Sequence, residues 1–125
     1  MNWEDVVPKN ELNYIMGNPP FVGACMMSAA QKNELLKIFD GLKNAGNLDY
    51  VSCWYKKATD MMHHSKIRTA LVSTNSITQG EQVAILWKAL FEEGVHIDFA
   101  YRTFRWDSEA SNRANVHCVI IGFSI

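Results

Sequence analysis

The sequence has no surplus of either charge: twelve basic residues stand against thirteen acidic ones in 125 residues. A chain that holds nucleic acid by its own field needs a basic excess. That class is disfavoured, and contact through one local surface stays open. Cysteine is scarce as well. Cys25, Cys53 and Cys118 are odd in number and none stands in a CxxC pair, which argues against a disulfide framework or a zinc site and for a reducing compartment. No apolar run approaches the ~20 residues that cross a bilayer, and the first residues lack the pattern of a secretory signal. The expected setting is soluble and cytoplasmic, with no membrane partner. No repeat, low-complexity tract or linker divides the chain, and its 48% hydrophobic content suits one globular domain. Proline is the scarcity that matters most. There are three, and two of them, Pro19 and Pro20, are adjacent.

What is present reads as alternating strands and helices. Leu12 to Gly17 is a short apolar run bounded by turn residues, which predicts a buried strand. Ser28 and Gln31 have capping-box spacing ahead of Leu35, Leu36 and Phe39, and Gly41 stops that helix. Val51, Trp54, Tyr55, Ala58, Met61 and Met62 form one apolar face with Lys56, Lys57 and Asp60 opposite, the clearest amphipathic helix in the chain. Ile67 to Ile77 begins as a β-branched strand and turns polar at Ser73. Thr78 and Glu81 repeat the capping spacing before Val83, Leu86, Trp87, Leu90 and Phe91, a helix ending near Gly94. Val95, Ile97, Phe99 and Tyr101 then alternate with polar residues, a polar loop runs from Asp107 to Asn115, and a second strand starts at Val116. With no helix between them, these two strands pair most simply as an antiparallel hairpin. The order predicts an α/β domain, a mostly parallel sheet that finishes in an antiparallel element, with helices on its faces.

In such a sheet, ligands gather outside the carboxyl ends of the strands. The stretch Asn18-Pro19-Pro20-Phe21 lies just past the end of the first. Asn18 offers an amide oxygen, and Pro19 offers a carbonyl with no N–H beside it. Two acceptors without a neighbouring donor suit a planar amino group presenting two hydrogens. Phe21 adds a flat face on which a ring could stack. The bland alternative is a strand terminator followed by a core ring.

With its flanking glycine, "GNPPF" resembles the catalytic motif of class I S-adenosylmethionine-dependent methyltransferases that modify exocyclic amino groups, above all adenine in DNA. The segments "GNPPFVGA", "GNLDYVSCWYKKA", "VSTNSITQGEQVAILW" and "FAYRTFRWDSEASNRANVHCVIIGFS" extend the likeness. Together they resemble the adenine methyltransferase domain of large single-chain type II restriction–modification enzymes. The resemblance implies a Rossmann-like fold, S-adenosylmethionine as cofactor and DNA as partner. It implies Asn18 and the Pro19 carbonyl as acceptors for the amino hydrogens of a flipped-out adenine. Phe21 would stack on the base, Pro20 would hold the turn, and Asn18 would also border the cofactor. Asn75, Ser76 and Ile77 would border the base pocket, and Arg105 and Arg113 would reach the target strand or its phosphates.

The family's glycine-rich turn after the first strand has no counterpart here, because the proline motif already begins at residue 18. Residues 1–125 are therefore expected to be a single partial domain, the C-terminal half of the catalytic unit, inactive alone. Half a sheet exposes an edge and an apolar face, which opens a route to self-association. A similar tetrad in methyltransferases for ribosomal RNA guanine or protein glutamine keeps those substrates as alternatives, as is a silent binding module. His63-His64 ends a helix and reads as no metal ligand. His117 and Cys118, adjacent on a strand, point to opposite faces and cannot pair. No metal is expected.

Overall fold

The computed structural model describes residues 2–105 and 117–125. Local chemistry sets the first helix: the Ser28 hydroxyl accepts the Gln31 N–H at 3.2 Å, while the Gln31 side chain accepts the Ser28 N–H at 3.0 Å. This is the anticipated capping box, and it opens α1, Ala29–Ile38. Gly41 then turns the chain at φ +79°, where a Cβ would strain the backbone. The amphipathic stripe forms α2, Ser52–Met62, whose Tyr55, Ala58, Met61 and Met62 are buried.

The second capping box does not form. The Thr78 hydroxyl donates to the Asn75 carbonyl at 2.7 Å, closing a 3-10 turn over Asn75–Thr78, and the next helix starts without a side-chain cap. That helix, α3, spans residues 80–92 and carries a π-helical turn, Val83–Trp87, between its α-helical ends. Val83 and Phe91 of its expected apolar stripe remain 42% and 50% exposed.

Four strands form one sheet: β1, Tyr14–Gly17; β2, Arg68–Thr74; β3, His96–Arg105; and β4, His117–Ser124. Their spatial order is β1-β2-β4-β3. β1 pairs with β2 in parallel, and β4 is inserted antiparallel to both β2 and β3. Three strands thus run one way and β4 runs back between them. The last two strands do pair as a hairpin, while the connecting loop, Asp107 to Asn115, lies outside the described residues. β1 is a strand but not a buried one. It sits at the edge, with Tyr14 68% and Met16 80% exposed.

The helices cover one face of the sheet. There Leu71, Val119, Ile121 and Phe123 meet Leu35, Tyr55, Met62, Leu86 and Leu90 in a continuous core. Tyr55 stacks on Phe123 with ring centres 5.2 Å apart, and its hydroxyl meets Ser73 Oγ at 2.6 Å. Burial pushes the Tyr55 phenol well above its usual range. On the other face, register aligns Met16 with Ala70, Ala70 with Gly122, and Gly122 with Phe99. Phe99 and Tyr101 are 45% and 68% exposed. No helix among the described residues is long and apolar enough to cross a membrane.

Candidate active site

The parallel strands β1 and β2 end on the same side of the sheet, and β4 begins there. Gly17 closes β1 where a Cβ would lie 3.4 Å from Leu71 Cδ2. The chain then leaves the ladder at Asn18, because neither following proline has an N–H to donate. Pro19 is buried, Asn18 and Pro20 are exposed, and Phe21 is half-buried. Neither the Asn18 amide nor the Pro19 carbonyl has a hydrogen-bond partner among the described residues.

Past the prolines opens a cavity of about 390 Å³ lined by Phe21, Val22, Gly23, Asp49, Val51, Thr74, Asn75, Ser76 and His117. Four segments wall it: the loop after β1, the approach to α2, the turn after β2 and the start of β4. Trp87 of α3 anchors that turn from below, its indole N–H donating to the Ile77 carbonyl at 2.9 Å. Ile77 itself is fully buried, so it fixes the turn rather than bordering a ligand. Asp49 ties the segments together. Its Oδ1 accepts the Ala24 N–H at 3.1 Å and its Oδ2 accepts the Ser76 hydroxyl. Tyr50 N–H donates to the Val22 carbonyl at 2.9 Å. A wider depression of about 580 Å³ lies by Pro8–Asn13 and His64–Lys66, but no Phe, Tyr or Trp lines it. Among the described residues, no three His, Cys, Asp or Glu side chains gather where a metal could be held.

Of the residues the sequence singled out, Phe21, Asn75 and Ser76 line this cavity together. Asn18, Pro19 and Pro20 lead into Phe21 without lining it. Arg105 ends β3 opposite His117 in the register, and Arg113 lies outside the described residues. Sequence reasoning missed Asp49 and His117 as cavity residues. Asp49 reads as a helix opener, yet α2 has no side-chain cap and its carboxylate turns to the loops instead. His117 does face away from the fully buried Cys118, as strand alternation requires. Its place at the cavity follows from β4 running back between two strands, which no local pattern encodes.

The sequence pattern of the family described as "MmeI, DNA-methyltransferase domain" matches residues 1–125. The chain belongs to that family. The DNA methyltransferase A of Bacillus subtilis (strain 168) is 42% identical over 125 residues, covering 98% of this chain and 14% of the relative. The solved structure of the type IIL restriction–modification enzyme MmeI, in complex with DNA, superposes with a TM-score of 0.94 at 52% identity, covering 98% of this chain. This chain spans 17% of that one. The MmeI family thus supplies the Rossmann-like α/β frame, and the residues here are a piece of a DNA-methyltransferase domain.

Proposed function

We propose that this chain forms the target-base pocket of an enzyme that methylates the exocyclic amino group of adenine in DNA, with S-adenosylmethionine as donor, within a restriction–modification system. One observation carries the reading: two acceptors without partners among the described residues, the Asn18 amide oxygen and the Pro19 carbonyl, stand at the strand end directly ahead of a ring that lines a cavity. A base must leave the duplex to reach such a site, at a cost of a few kcal/mol. Stacking on Phe21 offsets about 1–3 kcal/mol of that.

The amino nitrogen of adenine is a weak nucleophile because its lone pair is delocalised into the ring. Asn18 and Pro19, accepting its two hydrogens, favour pyramidal geometry and localise the lone pair. The same acceptors stabilise the positive charge that develops on nitrogen, which is electrostatic preorganisation. Exposure of Asn18 leaves a path to water for the surplus proton. When bound, S-adenosylmethionine supplies an electrophilic methyl group. Among the described glycines with positive φ, Gly41 and Gly94 follow helices, and Gly80 opens α3 beyond the Asn75–Thr78 turn. Asn18 alone is assigned to the cofactor's border. Asn75 and Ser76 face the base from the second wall, and Arg105 and Arg113 are assigned to the target strand. DNA as substrate, together with three free cysteines, supports a cytoplasmic enzyme.

The test uses the complete protein that carries this segment, expressed in cells without adenine methylation. Nucleoside mass spectrometry of their DNA should show N6-methyladenine. Asn18→Ala should lower the single-turnover rate by about 10²–10³-fold, the usual effect of removing one preorganised partner of a developing charge. A product on cytosine, RNA or protein alone would overturn the adenine reading.

A further inference from the structure

We propose that Asp49 is a positioning residue that sets the distance between the two walls of the cavity and so holds the Phe21 ring in place over the base site. The proposal rests on the cavity being a target-base pocket. Its two carboxylate oxygens serve two different loops, one 25 residues upstream at Ala24 and one 27 residues downstream at Ser76. Ala24 lies three residues past the stacking ring, and Ser76 lines the opposite wall.

The clamp is itself held. The Asp49 N–H donates to Gln82 Oε1 at 3.3 Å, and Gln82 Nε2 donates to the Asn47 carbonyl at 2.9 Å, fixing the segment to α3. Together with the Tyr50–Val22 bond, this secures the chain on the far side of Phe21, while Pro19 and Pro20 stiffen the near side. Both flanks of the ring are therefore fixed.

Proton counting gives the clamp a direction. A carboxylate only accepts, so the single Ser76 proton goes to Asp49. Thr74 Oγ1, 2.7 Å from Ser76 Oγ, must then donate to it. The order is Thr74 to Ser76 to Asp49, and it runs along the wall that faces the ring. An amide at position 49 can rebuild the chain in reverse. Its oxygen keeps the Ala24 N–H, its NH₂ donates to Ser76, and Ser76 turns its proton toward Thr74. Alanine can do neither.

The experiment uses the complete protein with two duplexes: one with adenine at the target, which reports the methyl-transfer rate, and one with 2-aminopurine there, which lacks the acceptor amino group but whose fluorescence rises when the base leaves the stack. Asp49→Ala should cut the single-turnover rate by about 10- to 100-fold, the scale of an ångström-sized misplacement. It should also lower the fluorescence rise, with the DNA dissociation constant within about two-fold of the parent because the ring, not the phosphate contacts, is displaced. Asp49→Asn should keep most of both signals, and Ser76→Ala should lose an intermediate share. The double variant Asp49→Ala with Ser76→Ala should be no worse than Asp49→Ala, since the two act as one unit. Parental behaviour of Asp49→Ala, or an Asp49→Asn as impaired as alanine, overturns the clamp. If Asp49→Ala does not fold, Asp49→Ser, too short to serve both loops, takes its place: loss of both signals alongside retention in Asp49→Asn decides for the clamp, and any other pattern decides against it. A parent that methylates cytosine sinks the adenine reading only, and the same variants then report with a fluorescent cytosine analogue.

Discussion

Gly122 is glycine because a ring occupies the place of its side chain. A Cβ there would stand 2.1 Å from a Phe99 ring carbon, which no real contact tolerates. Phe99 lies across the β4 backbone and also meets Tyr101 edge-on, with ring centres 6.0 Å apart. Gly122→Ala should push that ring outward and destabilise the hairpin by about 1–3 kcal/mol, the range for overpacking. Hydrogen exchange at the β3 and β4 amides of the complete protein measures the loss. Adding Phe99→Ala should recover part of it; an unchanged loss would place the strain in the backbone instead. From sequence, Phe99 reads as one beat of a period-two pattern, and nothing local ties it to Gly122. Their dependence on each other appears only once the hairpin register is fixed. The same holds for the cavity: Phe21, Asn75 and Ser76 could be singled out because each lies just past the end of a strand. Asp49 could not, because its partners lie on two distant loops.

At the scale of elements, identical spacing led to different outcomes. Ser28 and Gln31 complete a reciprocal cap, whereas Thr78 spends its hydroxyl on the Asn75 carbonyl. The difference is tertiary. Ile77 is fully buried and its carbonyl takes the Trp87 indole N–H, so the chain is held in a 3-10 turn where a helix N-cap would need extended backbone. Ser28→Ala should therefore fray the first turn of α1 and cost about 0.5–2 kcal/mol. Thr78→Ala should leave the first turn of α3 as it is and loosen only the Asn75–Thr78 turn. Amide exchange resolved by peptide separates the two cases, and faster exchange at Glu81 and Gln82 in Thr78→Ala would restore a capping role. Helices and strands were legible because their apolar periods are local. The place of β4 between β2 and β3, the exposure of β1 and the π-helical turn were not. Each is set by what packs across the sheet or against α3, and a single segment carries no record of that.

At the scale of the whole molecule, two thiols and two phenols are buried: Cys53, Tyr50 and Tyr55 among the helices, and Cys118 in β4. Cys53 is 4% exposed, and burial, reinforced by the nearby Glu34 carboxylate, pushes its thiol from 9.0 up to about 12. Cys118 is fully buried and shifted upward by burial, and Tyr50 rises for the same reason with a further push from its hydrogen bond to Glu34. Tyr55 follows. Each folded value lies above its unfolded one, so the native state holds protons that the unfolded chain releases. Linkage then requires stability to fall as pH rises, beginning near the unfolded thiol value of about 9 and continuing through the folded values. Below that pH, these four groups are protonated in both states and contribute no slope. Denaturant midpoints should accordingly decline above about pH 9. Cys25, exposed on the loop after the prolines, supplies an internal standard. At pH 8 it should be alkylated by iodoacetamide while Cys53 and Cys118 stay unmodified, and all three should react once the chain is unfolded. Peptide mapping by mass spectrometry reads all three sites in one experiment. Labelling of Cys53 as fast as Cys25 under native conditions would mean that α1 and α2 part readily, and the alkaline loss of stability should then shrink with it.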